Sequence, residues 1–194
     1  MSRGTLYILS APAGTGKTTL VRLAVERVPN LIQSISYTTR DRRPGEIPGV
    51  DYFFVSRREF QERALHGRFL ESVEIYGDFY GTDRQWVEEH LQKGFDVVLV
   101  IDIKGAACVQ KAMEAKMIFV SPPSLEELRK RLIDRGTETK ESLKKRLERV
   151  EEEMKAASHY QYRVVNADIN TAVKELVTIF TKGEDRGKEK STYI

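Results

Sequence analysis

The chain has 194 residues, 40% hydrophobic and 31% charged, which is the composition of a globular protein with one core and room for small inserted subdomains. Its 32 basic residues nearly balance 29 acidic ones, so the net charge of +3 gives no reason to expect a nucleic-acid partner. The only cysteine, Cys108, excludes an internal disulfide. We expect it to be buried on a helix.

The apolar run at the start of the chain is too short for a signal peptide. The longest later run, "VVLVIDI", is much shorter than the roughly 20 residues of a membrane span. We therefore expect a cytoplasmic protein with no membrane partner. The sequence leaves the oligomeric state open.

The first strand-like run, "TLYILS", leads into "SAPAGTGKTTL" and then into a predicted helix. This order is typical of a phosphate-binding loop, G-x-x-x-x-G-K-[ST], in which Ala11 replaces the first glycine. Alanine is tolerable there if its φ angle stays negative. Lys17 can reach the β- and γ-phosphates, and the Thr18 hydroxyl can bind Mg²⁺. The candidate triphosphate-binding residues are Ala13, Gly14, Thr15, Gly16, Lys17, Thr18 and Thr19.

The segment that follows mixes short strands and helices. "LIQSISYTTR" (31–40) predicts a strand, "RRPGEIPGV" a loop, and "SRREFQERALHG" a helix capped by Ser56. "FLESVEI" and "DFYGT" predict two strands that flank a turn at Tyr76 and Gly77. "DRQWVEEHLQKG" predicts a second helix.

Later runs such as "FDVVLVIDI" and "KMIFVS" are almost wholly apolar, as in strands buried on both faces of a parallel sheet. We predict an α/β fold: a parallel-sheet phosphate-loop core flanked by helices, an inserted mixed α+β subdomain, and a helical lid. The predicted ranges are 1–33, 95–123 and 159–183 for the core, 34–94 for the subdomain, 124–158 for the lid and 184–194 for a disordered tail.

An arginine-rich loop, "TTRDRRPGEIPG", suggests a second phosphate-bearing substrate, because arginine pairs bidentately with phosphate oxygens. The longer stretch "SISYTTRDRRPGEIPGVDYFFV" closely resembles the signature of the guanylate kinase family. The resemblance continues through "FLESVEIYGDFYGT", "LVIDIKG" and "SPPSLEELRKRLIDRGTETKESLKKRL", and covers about residues 6–182.

The resemblance implies transfer of the γ-phosphoryl group of ATP to GMP, and to dGMP, with Mg²⁺, in purine nucleotide metabolism. The implied GMP-binding residues are Arg40, Arg43, Tyr52 and Tyr80 for the phosphate and Ser36, Glu71 and Thr82 for the guanine edge. Asp102, at the end of a buried strand, is implied to face the site near the guanine and the magnesium. A carboxylate such as Glu71 can accept from guanine N1–H and N2–H₂ together, whereas adenine has an acceptor at N1 and no 2-amino group.

Three arginines of the predicted lid, Arg131, Arg135 and Arg146, match family residues that close over the triphosphate. The implied catalytic residues are Lys17, Arg43, Arg135 and Arg146. Asn166 is implied as an adenine contact, although the family's Asn-Asp pair is Asn166-Ala167 here.

Two alternatives remain at this point. The chain can be a kinase for another nucleoside monophosphate, since the phosphate loop alone does not select the acceptor. It can also be a guanylate-kinase-like binding module, although such modules have generally lost the phosphate loop that is intact here.

Overall fold

A computed structural model of the chain describes residues 2–134 and 140–182. Within these residues the chain forms nine strands and seven α-helices. The strands are β1 (Leu6–Ser10), β2 (Leu31–Gln33), β3 (Tyr37–Thr38), β4 (Phe53–Phe54), β5 (Phe69–Ile75), β6 (Asp78–Asp83), β7 (Asp96–Val100), β8 (Lys116–Ser121) and β9 (Tyr162–Val165). The α-helices are α1 (Lys17–Val25), α2 (Arg57–Leu65), α3 (Arg84–Gln92), α4 (Ile103–Ala112), α5 (Leu125–Asp134), α6 (Lys140–Ala156) and α7 (Ile169–Lys182).

The larger sheet has five strands in the order β2-β7-β1-β8-β9. Strand β1 is buried along its whole length, and the central residues of β7 and β8 are buried as well. Strands β8 and β9 run parallel, with Val120 opposite Val164. Apolar strands with both faces covered are the pattern expected of a parallel α/β sheet, so the predicted fold class is confirmed.

The smaller, mixed sheet has the order β4-β3-β6-β5. Strand β3 pairs parallel with β4 and antiparallel with β6. The predicted turn between β5 and β6 is present, and both of its central residues have positive φ angles, 53° at Tyr76 and 86° at Gly77. Two positive φ angles match the right-handed twist of a tight hairpin, which brings β5 and β6 into register.

The chain divides into two compact units. The first contains the described residues of Met1–Ile8 and Ile32–Lys116, and the second those of Leu9–Leu31 and Met117–Ile194. The mixed sheet belongs to the first unit, and the phosphate-loop segment belongs to the second. The ranges predicted above for core, subdomain and lid stay a prediction.

Two expectations from the sequence are wrong. Residues 31–40 do not form one strand, because their backbone groups have different neighbours: Ser34 N–H donates to the carbonyl of Val98, whereas Thr39 N–H donates to that of Phe79. Cys108 is exposed rather than buried. The buried face of α4 is formed by Gly105, Ala106 and Val109, and Cys108 is rotated away from it.

The predicted lid contains α5 and α6. Arg135 and the predicted tail, 184–194, lie outside the described residues. Arg131 lies in α5 and Arg146 in α6, but neither side chain is among those described.

Candidate active site

The phosphate loop joins the end of β1 to the start of α1. Gly14 and Gly16 have positive φ angles of 85° and 89°, which glycine adopts without steric cost. Ala11 is buried, and it is not among the described non-glycine residues with positive φ, which are Asn30 and Tyr76. Ala11 therefore meets the condition on which its tolerance depends, and the glycines keep the two unusual conformations.

Helix α1 begins at Lys17 without a side-chain cap and without an acidic residue in its first turn. The first N–H groups of a helix have no intrahelical partner, and they lie at the positive end of its dipole. This end of α1 is therefore suited to an anion. The Lys17 ammonium donates to the carbonyl of Ala11, so its side chain lies back along the loop. Ala13 is half-buried, and Thr18 and Thr19 are exposed.

Thr15 holds the loop together from inside. Its side chain is buried, and both its hydroxyl and its N–H donate to the carbonyl of Pro12, at 2.8 and 3.3 Å. Its own carbonyl accepts a hydrogen bond from Nδ2 of Asn166 at 2.7 Å. Asn166 N–H donates in turn to the carbonyl of Ser121, the last residue of β8. Asn166 thus connects the phosphate loop to the ends of β8 and β9.

In the first unit, the β5–β6 hairpin places Glu71 opposite Thr82. The register shifts between Phe69 and Glu71, an irregularity of the kind that redirects side chains next to binding sites. The Thr82 hydroxyl donates to Oε1 of Glu71 at 2.7 Å. Glu71 is only 4% exposed, and its other carboxylate oxygen, Oε2, has no hydrogen-bond partner among the described residues. A buried carboxylate oxygen without a donor is costly, so it is suited to a ligand that brings donors.

The protonation of Glu71 is set by its surroundings. Burial raises its pKa to about 7, the charge of Asp102 contributes in the same direction, and the hydrogen bonds from Thr82 oppose both. Asp102 caps α4, where its Oδ1 accepts from Gly105 N–H at 2.8 Å. The structure therefore brings together two of the three predicted base-reading residues, Glu71 and Thr82, with Asp102, which was predicted to face the same site. Ser36, the third predicted base-reading residue, is half-buried between β2 and β3, and its carbonyl accepts from Phe53 N–H.

The residues predicted to hold the GMP phosphate share one region of the first unit. The Arg40 guanidinium lies over the ring of Tyr52, 5.4 Å from its centroid. The Tyr52 ring meets the Tyr80 ring edge-on, with 6.0 Å between centroids. Burial raises the pKa of the Tyr52 phenol, so at neutral pH its hydroxyl remains a donor. Arg43 is exposed in the loop after β3.

Two residues near these sites were missed by sequence reasoning. Glu46 bonds both to the Arg40 guanidinium and to the backbone of Arg43. Gly105 lies against the Glu71 carboxylate. Both have a recognisable pattern in the sequence. Glu46 is an acidic residue inside an arginine-rich loop, and Gly105 is a glycine inside a predicted helix, where glycine often marks a close approach of another group to the backbone.

The family model described as "Guanylate kinase" matches residues 3–183. The chain belongs to the guanylate kinase family. It is 50% identical over 177 residues to the guanylate kinase of Protochlamydia amoebophila (strain UWE25), covering 91% of this chain and 90% of that protein. It is 49% identical over 181 residues to the guanylate kinase of Hahella chejuensis (strain KCTC 2396), covering 93% and 87%.

A solved structure agrees with the sequence relatives. The crystal structure of guanylate kinase from Anaplasma phagocytophilum matches this fold with a TM-score of 0.79 and 34% identity, covering 96% of this chain and 89% of that one. Membership of the guanylate kinase family, inferred from the arginine-rich loop and the segments after it, is confirmed. The family is one of nucleoside monophosphate kinases, so the chain is a phosphotransferase.

The Mg²⁺ that the guanylate kinase family implies fits one described residue. Thr18 is exposed in the first turn of α1. Within residues 2–134 and 140–182, no group of three or more His, Cys, Asp or Glu side chains could hold a metal ion. Mg²⁺ commonly keeps several waters and binds through few protein ligands plus substrate phosphates, so a single hydroxyl beside the phosphate loop is a suitable ligand.

A search for membrane spans in the described part of the chain finds no helix of sufficient length and apolarity to cross a bilayer.

Proposed function

We propose that this protein transfers the γ-phosphoryl group of ATP to GMP, and to dGMP, in the cytoplasm, with Mg²⁺ as cofactor. The observation that supports this best is the carboxylate of Glu71, which is buried and accepts from Thr82 through one oxygen, while the other oxygen has no donor among residues 2–134 and 140–182. This carboxylate indicates GMP as the phosphoryl acceptor, and the phosphate loop indicates ATP as the donor.

Guanine is the base that supplies hydrogen-bond donors to the Glu71 carboxylate. Its N1–H and 2-amino group are neighbouring donors, and an ionised carboxylate accepts from both. Adenine has a lone pair at N1 and no 2-amino group, which would leave the buried Oε2 of Glu71 without a donor. Such a mismatch costs about 1–3 kcal/mol. In this proposal the Thr82 and Ser36 hydroxyls bond other atoms of the base edge, and Asp102 holds the adjoining end of α4.

The acceptor phosphate is assigned to Arg40, Arg43, Tyr52 and Tyr80. Arginine presents a planar set of donors that matches phosphate oxygens, and a protonated tyrosine adds one more donor. The region described above holds Arg40 against Tyr52, and Tyr52 against Tyr80. None of these groups contacts the base in the proposal, so they recognise any nucleoside monophosphate, and the selection of guanine is left to Glu71.

The donor triphosphate is assigned to the loop before α1. Backbone N–H groups around Gly14 and Gly16 and the uncapped start of α1 bind its oxygens, and Lys17 neutralises charge on the β- and γ-phosphates. Mg²⁺, when bound with ATP at Thr18, offsets charge on the same oxygens. In the described structure the Thr15 N–H is already bonded to Pro12, so Thr15 contributes to ATP binding through the shape of the loop.

Phosphoryl transfer asks for positioning and for positive charge around the transferring group rather than for covalent chemistry by the protein. We assign that charge to Lys17 and Arg43, together with Arg135 and Arg146 from the predicted lid, and we assign Arg131 to the triphosphate. The Asn166 amide is committed to the loop in this structure, so its role toward ATP is through the loop as well.

A coupled assay with ATP and Mg²⁺ across AMP, GMP, dGMP, CMP and UMP tests the function. We expect turnover with GMP and dGMP and little with the others; a preference for AMP would contradict the proposal. Lys17→Ala should lower kcat by about 10²–10³-fold, the usual effect of removing one group that stabilises developing charge. Lys93→Ala, at an exposed lysine after α3, is the matched control and should leave kcat unchanged.

A further inference from the structure

The loop between β3 and β4 contains an acidic side chain, Glu46, that contacts both arginines assigned to the acceptor phosphate. Its Oε1 accepts from Nη2 of Arg40 at 2.7 Å. Its Oε2 accepts from the backbone N–H of Arg43 at 2.8 Å. The Glu46 N–H donates back to the carbonyl of Arg43 at 3.2 Å, so a short turn closes around the carboxylate. Both carboxylate oxygens of Glu46 therefore accept hydrogen bonds from residues of the same loop.

This pair differs from the surface ion pairs of the same unit. The side chains of Arg40 and Glu46 are 12% and 18% exposed, whereas those of Arg58 and Glu62, a helical pair on α2, are 90% and 57% exposed. Exposed pairs gain little from their attraction, but a largely buried pair is strongly perturbed when one partner is removed. Although burial alone would raise it, the hydrogen bonds and charges of Arg40 and Arg43 hold the pKa of Glu46 below its usual range.

Arg40 is fixed on several sides at once. Its Nη1 donates to the carbonyl of Asp41 at 2.6 Å, and its guanidinium lies over the rings of Tyr52 and Phe54, at 5.4 and 5.9 Å. A guanidinium has five N–H donors. The bonds to Asp41 and Glu46 use two of them, and the guanidinium also interacts with the Tyr80 hydroxyl. These described partners do not use all five donors, so an anion can still be bound. Glu46 therefore selects the orientation of the guanidinium without exhausting it.

We propose that Glu46 is a positioning residue for the acceptor phosphate, holding the Arg40 guanidinium and the Arg43 backbone in the arrangement that receives it. This inference rests on the proposed function. A different role is physically possible for an acid at this place: a competing anion that occupies Arg40 until the phosphate displaces it. The two roles predict opposite signs, because removing a positioning group weakens GMP binding and removing a competitor strengthens it.

The test measures GMP affinity and, separately, guanosine affinity as a competitive inhibitor, in the full chain carrying Glu46→Ala, Glu46→Gln or no change. Guanosine lacks the phosphate, so it reports on the base site alone. We expect Glu46→Ala to weaken GMP binding at least tenfold and Glu46→Gln to weaken it less, with guanosine binding changed by less than twofold. In steady-state assays the loss should appear in KM for GMP more than in kcat. Glu62→Gln, in the exposed pair, should change neither.

Unchanged or tighter GMP binding in the Glu46 variants would overturn the proposal, and so would an equal loss for guanosine, which would show a general effect on the unit. If Glu46→Ala does not fold, the comparison rests on Glu46→Gln, which keeps the size of the side chain. Failure of the proposed function would look different, because the unchanged protein would then show no preference for GMP over the other monophosphates.

Discussion

Gly105 leaves just enough room for the carboxylate of Glu71. A β-carbon on Gly105 would lie 2.8 Å from Oε2 and 3.3 Å from Cδ of Glu71, closer than packed side chains approach. Glycine at a helical position is less favourable than alanine by about 1 kcal/mol. The close approach of the Glu71 carboxylate is therefore a sufficient reason for a glycine in the first turn of α4.

Gly105→Ala should raise KM for GMP about tenfold and change kcat much less, because the displaced Glu71 carboxylate would form poorer hydrogen bonds with guanine. A tenfold change corresponds to about 1.4 kcal/mol. Steady-state kinetics with GMP as the varied substrate measure this. Cys108→Ala, an exposed change on the same helix, is the control. Glu71→Asp shortens the side chain by one methylene group and so relieves the contact with a β-carbon at position 105. The double variant with Gly105→Ala should therefore raise KM for GMP by less than the two single effects combined. Additive losses would show that the contact is not the cause.

The raised pKa of Glu71 predicts that this residue destabilises the ligand-free protein at high pH. Folded Glu71 titrates at about 7, and its ordinary value is 4.5, so the folded chain holds the proton more tightly. Its contribution to stability is then present below pH 4.5 and lost as the pH rises through 7. Glu71→Gln, which cannot ionise, should raise the free energy of unfolding by about 1–3 kcal/mol at pH 8 and by much less at pH 5.

Urea unfolding of the ligand-free protein at the two pH values measures this difference. Glu74→Gln is the matched control, because Glu74 lies on the same strand but is exposed. If the free energies of unfolding of Glu71→Gln and the unchanged protein differ by the same amount at pH 5 and pH 8, Glu71 does not titrate as described.

The same titration predicts a pH dependence of guanine recognition. The ionised carboxylate accepts from two donors of the base, whereas the protonated form presents a donor of its own. With a pKa of about 7, the ionised fraction rises about tenfold between pH 6 and 8, and guanosine affinity should rise by a similar factor. Guanosine is the better probe because a phosphate titrates near pH 6 itself. Glu71→Gln should bind weakly and show no such rise; an equal rise in that variant would assign the effect to another group.

The hydrogen bond from Asn166 to the Thr15 carbonyl predicts an effect on ATP that does not depend on contact with the adenine. Asn166→Ala removes a buried bond, worth about 1 kcal/mol, and should weaken binding of a non-hydrolysable ATP analogue about fivefold, leaving GMP affinity unchanged. Asp168→Ala removes the hydrogen bonds to Thr171 at the start of α7 and is the control. It should destabilise the helix without affecting the analogue. Equal analogue affinity in both variants would contradict a role for Asn166 in the loop.

The features that sequence predicted well are those encoded locally. A strand such as β1 is a short apolar run, the positive φ angles of Gly14 and Gly16 need glycine, and the hairpin turn needs the same freedom at Gly77. In each case a few adjacent residues determine the conformation. The break within residues 31–40 was missed because strand propensity does not say which neighbour a strand pairs with.

The contacts that tune the sites were not predictable because they join distant residues. Asn166 and Thr15 are 151 positions apart, and nothing near Asn166 indicates that its amide serves the loop rather than a ligand. Gly105 is explained only by the carboxylate of Glu71, which comes from a different strand. The fold gives the positions of the described site residues. Their assigned roles stay predictions, which the binding measurements above test.

The exposure of Cys108 gives the protein a single accessible thiol for site-specific labelling. The chain has one cysteine, and it lies on the open side of α4, whose first residues adjoin the Glu71 carboxylate. A thiol-reactive, environment-sensitive dye will therefore attach at a single known place without any engineered change. A change in its fluorescence when guanosine is added would report the binding proposed at Glu71, in the natural sequence and in every variant above that keeps Cys108.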